Sequence, residues 1–217
     1  MISEKMNQLN NEIIDFASLA EAMIDKSVRG LVEKNKTILE DVINNDEERA
    51  NAYEMKTDEL LFQFIAQFEP KAKELRRVLM MLQMSNDLER IGDHAVNICE
   101  SSLVLIELPK IKEFEHLLKM AEAVKEMLKG SIDSFIKSDA ELAANICEKD
   151  TVVDELRKTI VSELTAIMSA DPKTIERAMQ INRIAANLER IADLSTNISE
   201  DVIFIEKGKV IKHHKSL

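Results

Sequence analysis

The stretch Arg77-Val78-Leu79-Met80-Met81-Leu82-Gln83-Met84-Ser85-Asn86-Asp87-Leu88-Glu89-Arg90-Ile91-Gly92-Asp93-His94-Ala95-Val96-Asn97-Ile98-Cys99-Glu100 recurs, in substance, at residues 177–200. Within it, Leu88-Glu89-Arg90-Ile91-Gly92-Asp93 returns one hundred positions later as Leu188-Glu189-Arg190-Ile191-Ala192-Asp193. Arg77, Asn97, Ile98 and Glu100 return unchanged as Arg177, Asn197, Ile198 and Glu200. A match at a fixed period over most of a chain marks a duplicated supersecondary unit. The copies keep charged residues on a helix surface, which packing alone does not require.

The punctuation follows the same repeat. Gly30 and Gly130 sit near the ends of the first helix of each half. Thr37-Ile38-Leu39-Glu40 and Ser138-Asp139-Ala140-Glu141 read as capping boxes, in which a hydroxyl and a carboxylate satisfy orphan N–H groups. Pro70 and Pro172 open the third helices, with Asp171 a good N-cap. Pro109 separates the halves and Gly208 ends the last helix. These signals predict helices at about 4–34, 38–67, 71–106, 111–136, 139–168 and 173–206. The fold class is all-α, with two pseudo-symmetric three-helix bundles as domains 1–108 and 109–217.

Composition agrees with this and removes other classes. Four glycines and three prolines in 217 residues are too few for a turn-rich β fold. A net charge of −11 argues against a nucleic-acid partner and for cations or basic proteins. No apolar run approaches the roughly 18 residues of a membrane span, so membrane association is expected only peripherally, through partners. Cys99 and Cys147 form no C-x-x-C pair, and Met1-Ile2-Ser3-Glu4-Lys5 shows no signal peptide. Both cysteines therefore read as reduced thiols of a cytoplasmic protein.

The faces of the third helices carry the functional signal. At about 100° per residue, Glu100 lies about 20°, Asp93 about 40° and Asn97 about 80° from Glu89. Leu88, Ile91, Ala95 and Ile98 occupy the opposite side, and the second copy repeats the layout with Glu189, Asp193, Asn197 and Glu200. Like charges four residues apart cost a helix a few tenths of a kcal/mol, so local stability does not explain them. Carboxylates one turn apart aim oxygens at a shared position that suits Mg, Mn, Ca or iron. A lone acidic pair of this kind usually marks only a solvated face; its recurrence with amide companions makes a ligand role an even match for that reading.

A third pair, Asp150 and Asp154, has the same spacing in the fifth helix. At the place compared with it, the second helix offers Asp46 followed by Ala50, so one acid is missing there. A site containing Asp150 and Asp154 is therefore expected to hold metal more strongly than one relying on Asp46. Arg90 and Arg190 read as ion-pair partners of neighbouring helices, and His94, replaced by Leu194 in the second copy, as a packing residue.

Taken together, these motifs resemble the PhoU family. The resemblance is carried by Asn86-Asp87-Leu88-Glu89-Arg90-Ile91-Gly92-Asp93-His94-Ala95-Val96-Asn97-Ile98, by Asn187-Leu188-Glu189-Arg190-Ile191-Ala192-Asp193, and by Ser199-Glu200-Asp201-Val202-Ile203-Phe204-Ile205 before Gly208. Pro70-Lys71-Ala72-Lys73-Glu74-Leu75-Arg76 resembles the start of the family's third helix, with Glu74 where Asp is usual. The resemblance implies a cytoplasmic negative regulator in phosphate homeostasis, linking a phosphate-specific ABC transporter to a sensor histidine kinase. It also implies a homodimer, and metal ions, iron first and Mn, Mg, Ca or Zn otherwise, held through E/D-x-x-x-D motifs. Here those motifs are Glu89/Asp93, Glu189/Asp193, Asp150/Asp154 and the incomplete Asp46/Ala50.

Two rivals belong to other classes. A di-iron enzyme needs a Glu-x-x-His from each of two helices, and only Glu113-x-x-His116 matches. With no nucleophile elbow and no Gly-rich phosphate loop, no enzyme is expected. The other rival is a metal-free helical adaptor that docks a basic partner on its acidic face.

Overall fold

The computed structural model describes residues 2–209. Among these are six long helices and no strand. Helix α1 is Ile2–Glu33. Helix α2 covers 36–68 in three pieces: an α-helical Lys36–Asp41, a π turn Val42–Asp46 and an α-helical Glu47–Phe68. Helices α3 (Lys73–Ile106), α4 (Glu115–Lys137) and α5 (Ala140–Ala170) follow, and a 3-10 turn at Pro172–Thr174 leads into α6 (Ile175–Lys207).

Helices α1, α2 and α3 pack together, as do α4, α5 and α6, and the two triplets meet chiefly along α3 and α6. Those two helices run antiparallel. Near one end Lys73 pairs with Glu206, and Arg76 Nη2 donates to the Ile205 carbonyl at 3.4 Å. In the middle His94 Nδ1 meets Asn187 Oδ1 at 2.9 Å, and at the far end Arg177 Nη1 donates to the Pro109 carbonyl at 3.0 Å. The predicted apolar face is the buried one: Leu88, Ile91, Ala95, Ile98, Leu188, Ile191 and Ile198 are all fully enclosed. Each such Leu or Ile contributes about 1.5–3 kcal/mol of burial, which holds the third helices at the centre.

The helix starts differ from the sequence expectation. Asn35 caps α2, accepting from the Ile38 N–H at 3.3 Å, while Thr37 lies inside the first turn. Asp139 caps α5, accepting from the Glu141 and Leu142 N–H groups at 3.0 Å each. Ser138 cannot serve there, because its left-handed backbone (φ 53°) closes the end of α4. Asn and Asp side chains next to the hydroxyls took the cap, as their strong preference for that position allows. Asp171 caps the turn at Pro172, and Gly208 ends α6 with φ 66°, both as expected. Pro70 precedes α3 without opening it; left-handed Glu69 and Ala72, with its φ of 49°, stand on either side.

The duplicated glycines are points of close approach. A Cβ on Gly30 would lie 2.5 Å from Leu39 Cδ2, and one on Gly130 2.3 Å from Ile146 Cδ1. They let the first helix of each triplet press against the second.

Candidate acidic site

Glu89 and Asp93 lie near acids of α2, and Glu189 and Asp193 near Arg157 and Asp154 of α5. On α3, Glu89 is half-buried while Asp93, Asn97 and Glu100 are exposed. On α6, Glu189 and Glu200 are half-buried and Asp193 and Asn197 exposed. Which α2 and α5 residues face them depends on register. From the caps Asn35 and Asp139 the two helices start in step, Leu39 and Val42 being buried like Ala143 and Ile146. After the π turn the buried set is Ala50, Thr57 and Leu61 in α2, against Val153, Ile160 and Leu164 in α5. A π turn inserts one residue. Beyond it Asp150 therefore corresponds to Glu47, Asp154 to Asn51, and Arg157 to Glu54.

This corrects the expectation for Asp46. Only 2% of its side chain is exposed, and both oxygens are engaged, Oδ2 by Lys26 at 2.6 Å and Oδ1 by Arg49 at 2.8 Å. Lys26 also reaches Asp41 at 2.7 Å. Asp46 fastens the π turn to α1 through Lys26, with both oxygens already paired. Pairing Asp46 with Asp150 is one residue out of register: Glu47 takes the place of Asp150 and Asn51 that of Asp154, so α2 still offers one carboxylate where α5 offers two.

In the first half the structure brings Glu47 and Glu54 of α2 near Glu89 and Asp93 of α3. Burial raises the Glu89 pKa, and the charges of Asp93, Glu54 and Glu47 raise it further. Glu54 is likewise raised, by burial first and then by Asp58 and Asp93. Sequence reading missed Glu54, although Glu54 and Asp58 are themselves acids four apart.

In the second half Asp154 and Glu189 lie within electrostatic reach of Asp193. The Asp193 pKa is raised by burial, and the Glu189 and Asp154 charges add to that while Arg190 and His94 oppose it. Glu189 Oε2 accepts from Arg157 Nε at 3.3 Å, and Arg190 Nη1 lies 3.7 Å from Asp193 Oδ2. Arg190 and Arg90 thus pair within their own helices, Arg90 with Asp87 at 3.5 Å. The ion pair between helices is made by Arg157 instead.

An open cleft of about 720 Å³ runs between α3 and α6, lined among others by Asp87, Asp150, Asp193, Asn197, Glu200 and Asp201. Asp87 is buried on its wall, and burial pushes its pKa up to about 6, against the opposing effects of Arg90 and of a hydrogen bond with Asn197. An unfolded Asp titrates near about 3.9, so between about pH 4 and 6 the folded chain holds a proton that the unfolded chain has released. Stability from this group is full below that window and is lost as pH rises through it, by at most about 3 kcal/mol. Asp87→Asn, which copies Asn187 of the second half, should raise stability by about 1–3 kcal/mol at pH 7 and by little at pH 4. Urea midpoints at the two pH values check this; equal shifts at both would rule out titration of Asp87 as the cause.

The donor set is all oxygen, carboxylate with amide, and mutual repulsion already strains the acids; that chemistry fits a hard cation. Among the described residues no three Asp, Glu, His or Cys side chains converge into a ready-made metal centre. A cation would have to gather carboxylates from two helices by side-chain rotation.

The repeat and its acid stripes can be set beside known proteins. A family model described as the PhoU domain matches residues 13–102 and again 117–202. The chain belongs to the PhoU family. Among its PhoU relatives, the phosphate-specific transport system accessory protein PhoU homolog of Aquifex aeolicus is 35% identical over 210 residues, covering 97% of this chain and 95% of that one. PhoU homolog 2 of Thermotoga maritima is 30% identical, covering 100% of this chain and 92% of its own. The crystal structure of PhoU from Pseudomonas aeruginosa superposes with a TM-score of 0.92 at 27% identity, covering 96% of this chain and all of that one. Among the described residues no helix is long and apolar enough to cross a membrane.

Proposed function

We propose that this chain is a cytoplasmic, homodimeric negative regulator of phosphate uptake and phosphate-starvation signalling. It links a phosphate ABC transporter to a sensor histidine kinase and performs no catalysis of its own. Its acidic faces bind metal ions, iron foremost and Mn, Mg, Ca or Zn otherwise. Glu89, Asp93, Asn97 and Glu100 supply donors in the first half, joined by Glu47 and Glu54. Asp150, Asp154, Glu189, Asp193, Asn197 and Glu200 supply them in the second.

The observation that carries this reading is the duplicated acid–amide stripe on two helices whose other faces are fully buried. Family membership supplies the phosphate context, since the relatives are named as accessory proteins of a phosphate-specific transport system. A deletion strain tests it. Phosphate-uptake genes should stay expressed in phosphate-rich medium, and normal repression there would contradict the proposal.

One observation favours the second reading, a metal-free adaptor. The cleft between α3 and α6 is open and lined by five aspartate and glutamate side chains, a surface complementary to a basic segment of a partner. Metal content separates the two readings.

A further inference from the structure

The cleft between α3 and α6 lies in line with the point where the chain leaves α6. Gln83 and Asp87 line it from α3, and Arg76, seven and eleven residues earlier, shares their face of that helix. Asn197 and Asp201 line it from α6, and Gly208, eleven and seven residues later, shares theirs. Gly208 ends α6 in the left-handed region (φ 66°), and a Cβ there would lie 3.6 Å from Arg76 Cζ. The end of α6 therefore rests on α3 at the mouth of the cleft.

The sequence beyond that mouth is basic. From Lys207 onward it holds Lys207, Lys209, Lys212 and Lys215, two histidines and no acid, in a chain of net charge −11. The cleft walls carry Asp87, Asp150, Asp193, Glu200 and Asp201. Spacing agrees as well as sign. At about 1.5 Å per residue, Asp201, Asn197 and Asp193 lie about 11, 17 and 23 Å back along α6 from Gly208. A chain spans at most about 3.3–3.6 Å per residue, so from Gly208 Lys212 reaches up to about 13 Å and Lys215 up to about 23 Å.

A buried group on the same wall also lacks a partner. Thr196 is 7% exposed, and its Oγ1 is buried with no hydrogen-bond partner among the described residues. A buried hydroxyl left unpaired costs stability, and an amine or backbone N–H entering the cleft would pair it.

We infer that the cleft is the docking site of the chain's own basic segment, residues 209–215, which screens it from basic partners. Lys212 and Lys215 supply the charge that the cleft carboxylates attract. A tethered segment acts at a high effective concentration, so a basic partner has to displace it to reach the cleft. Residues 210–217 lie outside the described residues, and the reach from Gly208 and the match of charge carry the assignment.

The probe that tests this is a synthetic peptide with the sequence of residues 207–217. Calorimetry at about pH 8, where free histidine is neutral, compares the natural chain with a full-length Lys212→Glu/Lys215→Glu variant. Chelator is present throughout, so the metal-binding reading does not enter. The variant should bind the peptide, and the natural chain should bind it at least about tenfold more weakly, because its own segment competes. Adding Gln83→Lys and Asn86→Lys, at exposed positions of the cleft wall, should weaken peptide binding by the variant about tenfold and leave it folded. Equal peptide binding by the natural chain and the variant would overturn this inference and leave the cleft a site for basic partners alone. No binding by the variant, or binding that the two wall lysines do not change, would also overturn it.

Discussion

The double variant Glu89→Gln with Asp93→Asn is expected to lose divalent-cation affinity by about a hundredfold or more, the largest functional effect among substitutions in the acidic faces. Both residues are neighbours of Glu54, and each charge raises the cost of the next. Removing two of the four acids takes away the oxygens a hard cation needs and the repulsion it would relieve. The same change should leave the metal-free protein within about 1 kcal/mol of the natural chain, since Asp93 is exposed and Glu89 only half-buried. Calorimetry and chemical denaturation of one preparation read both quantities. A variant that fails to fold without metal would show these carboxylates to be structural.

Asp46→Ala should give the opposite pattern, a large loss of stability with metal affinity unchanged. Its carboxylate holds Lys26 and Arg49 at 2.6 and 2.8 Å from a position that is 2% exposed. Truncation leaves a void at the π turn and frees Arg49, while Lys26 keeps Asp41. Buried charge-assisted hydrogen bonds of this kind are worth about 1.5–3 kcal/mol each, so a loss of about 2–4 kcal/mol is expected. A thermal unfolding series measures it. Loss of metal binding at unchanged stability would return Asp46 to the ligand set.

The fold was legible because its signals were redundant. A repeat of one hundred residues, apolar faces at helical spacing, Pro172 after Asp171 and Gly208 all point to the same six helices. The third-helix stripes were legible for the same reason, since their acids and apolar residues separate cleanly on a helical wheel. The second-helix partners were not. A π turn has no strong sequence signature, and the one residue it inserts moves Glu47 and Glu54 to the face where an uninterrupted helix begun at Asn35 would carry Asp46 and Ala50. Likewise nothing in the sequence says that Arg157 reaches Glu189, because that depends on how α5 lies against α6. The caps at Asn35 and Asp139 were missed through a choice between adjacent good candidates, which only backbone geometry decides.

Elemental analysis of the natural protein and the Glu89→Gln/Asp93→Asn variant tests the central claim most directly. Both should be purified without a metal-affinity tag from metal-replete medium and passed through gel filtration. Iron or another hard metal should be retained by the natural protein and lost from the variant. A natural protein that carries no metal, and takes up none on titration, would contradict the metal-binding role of these acidic faces.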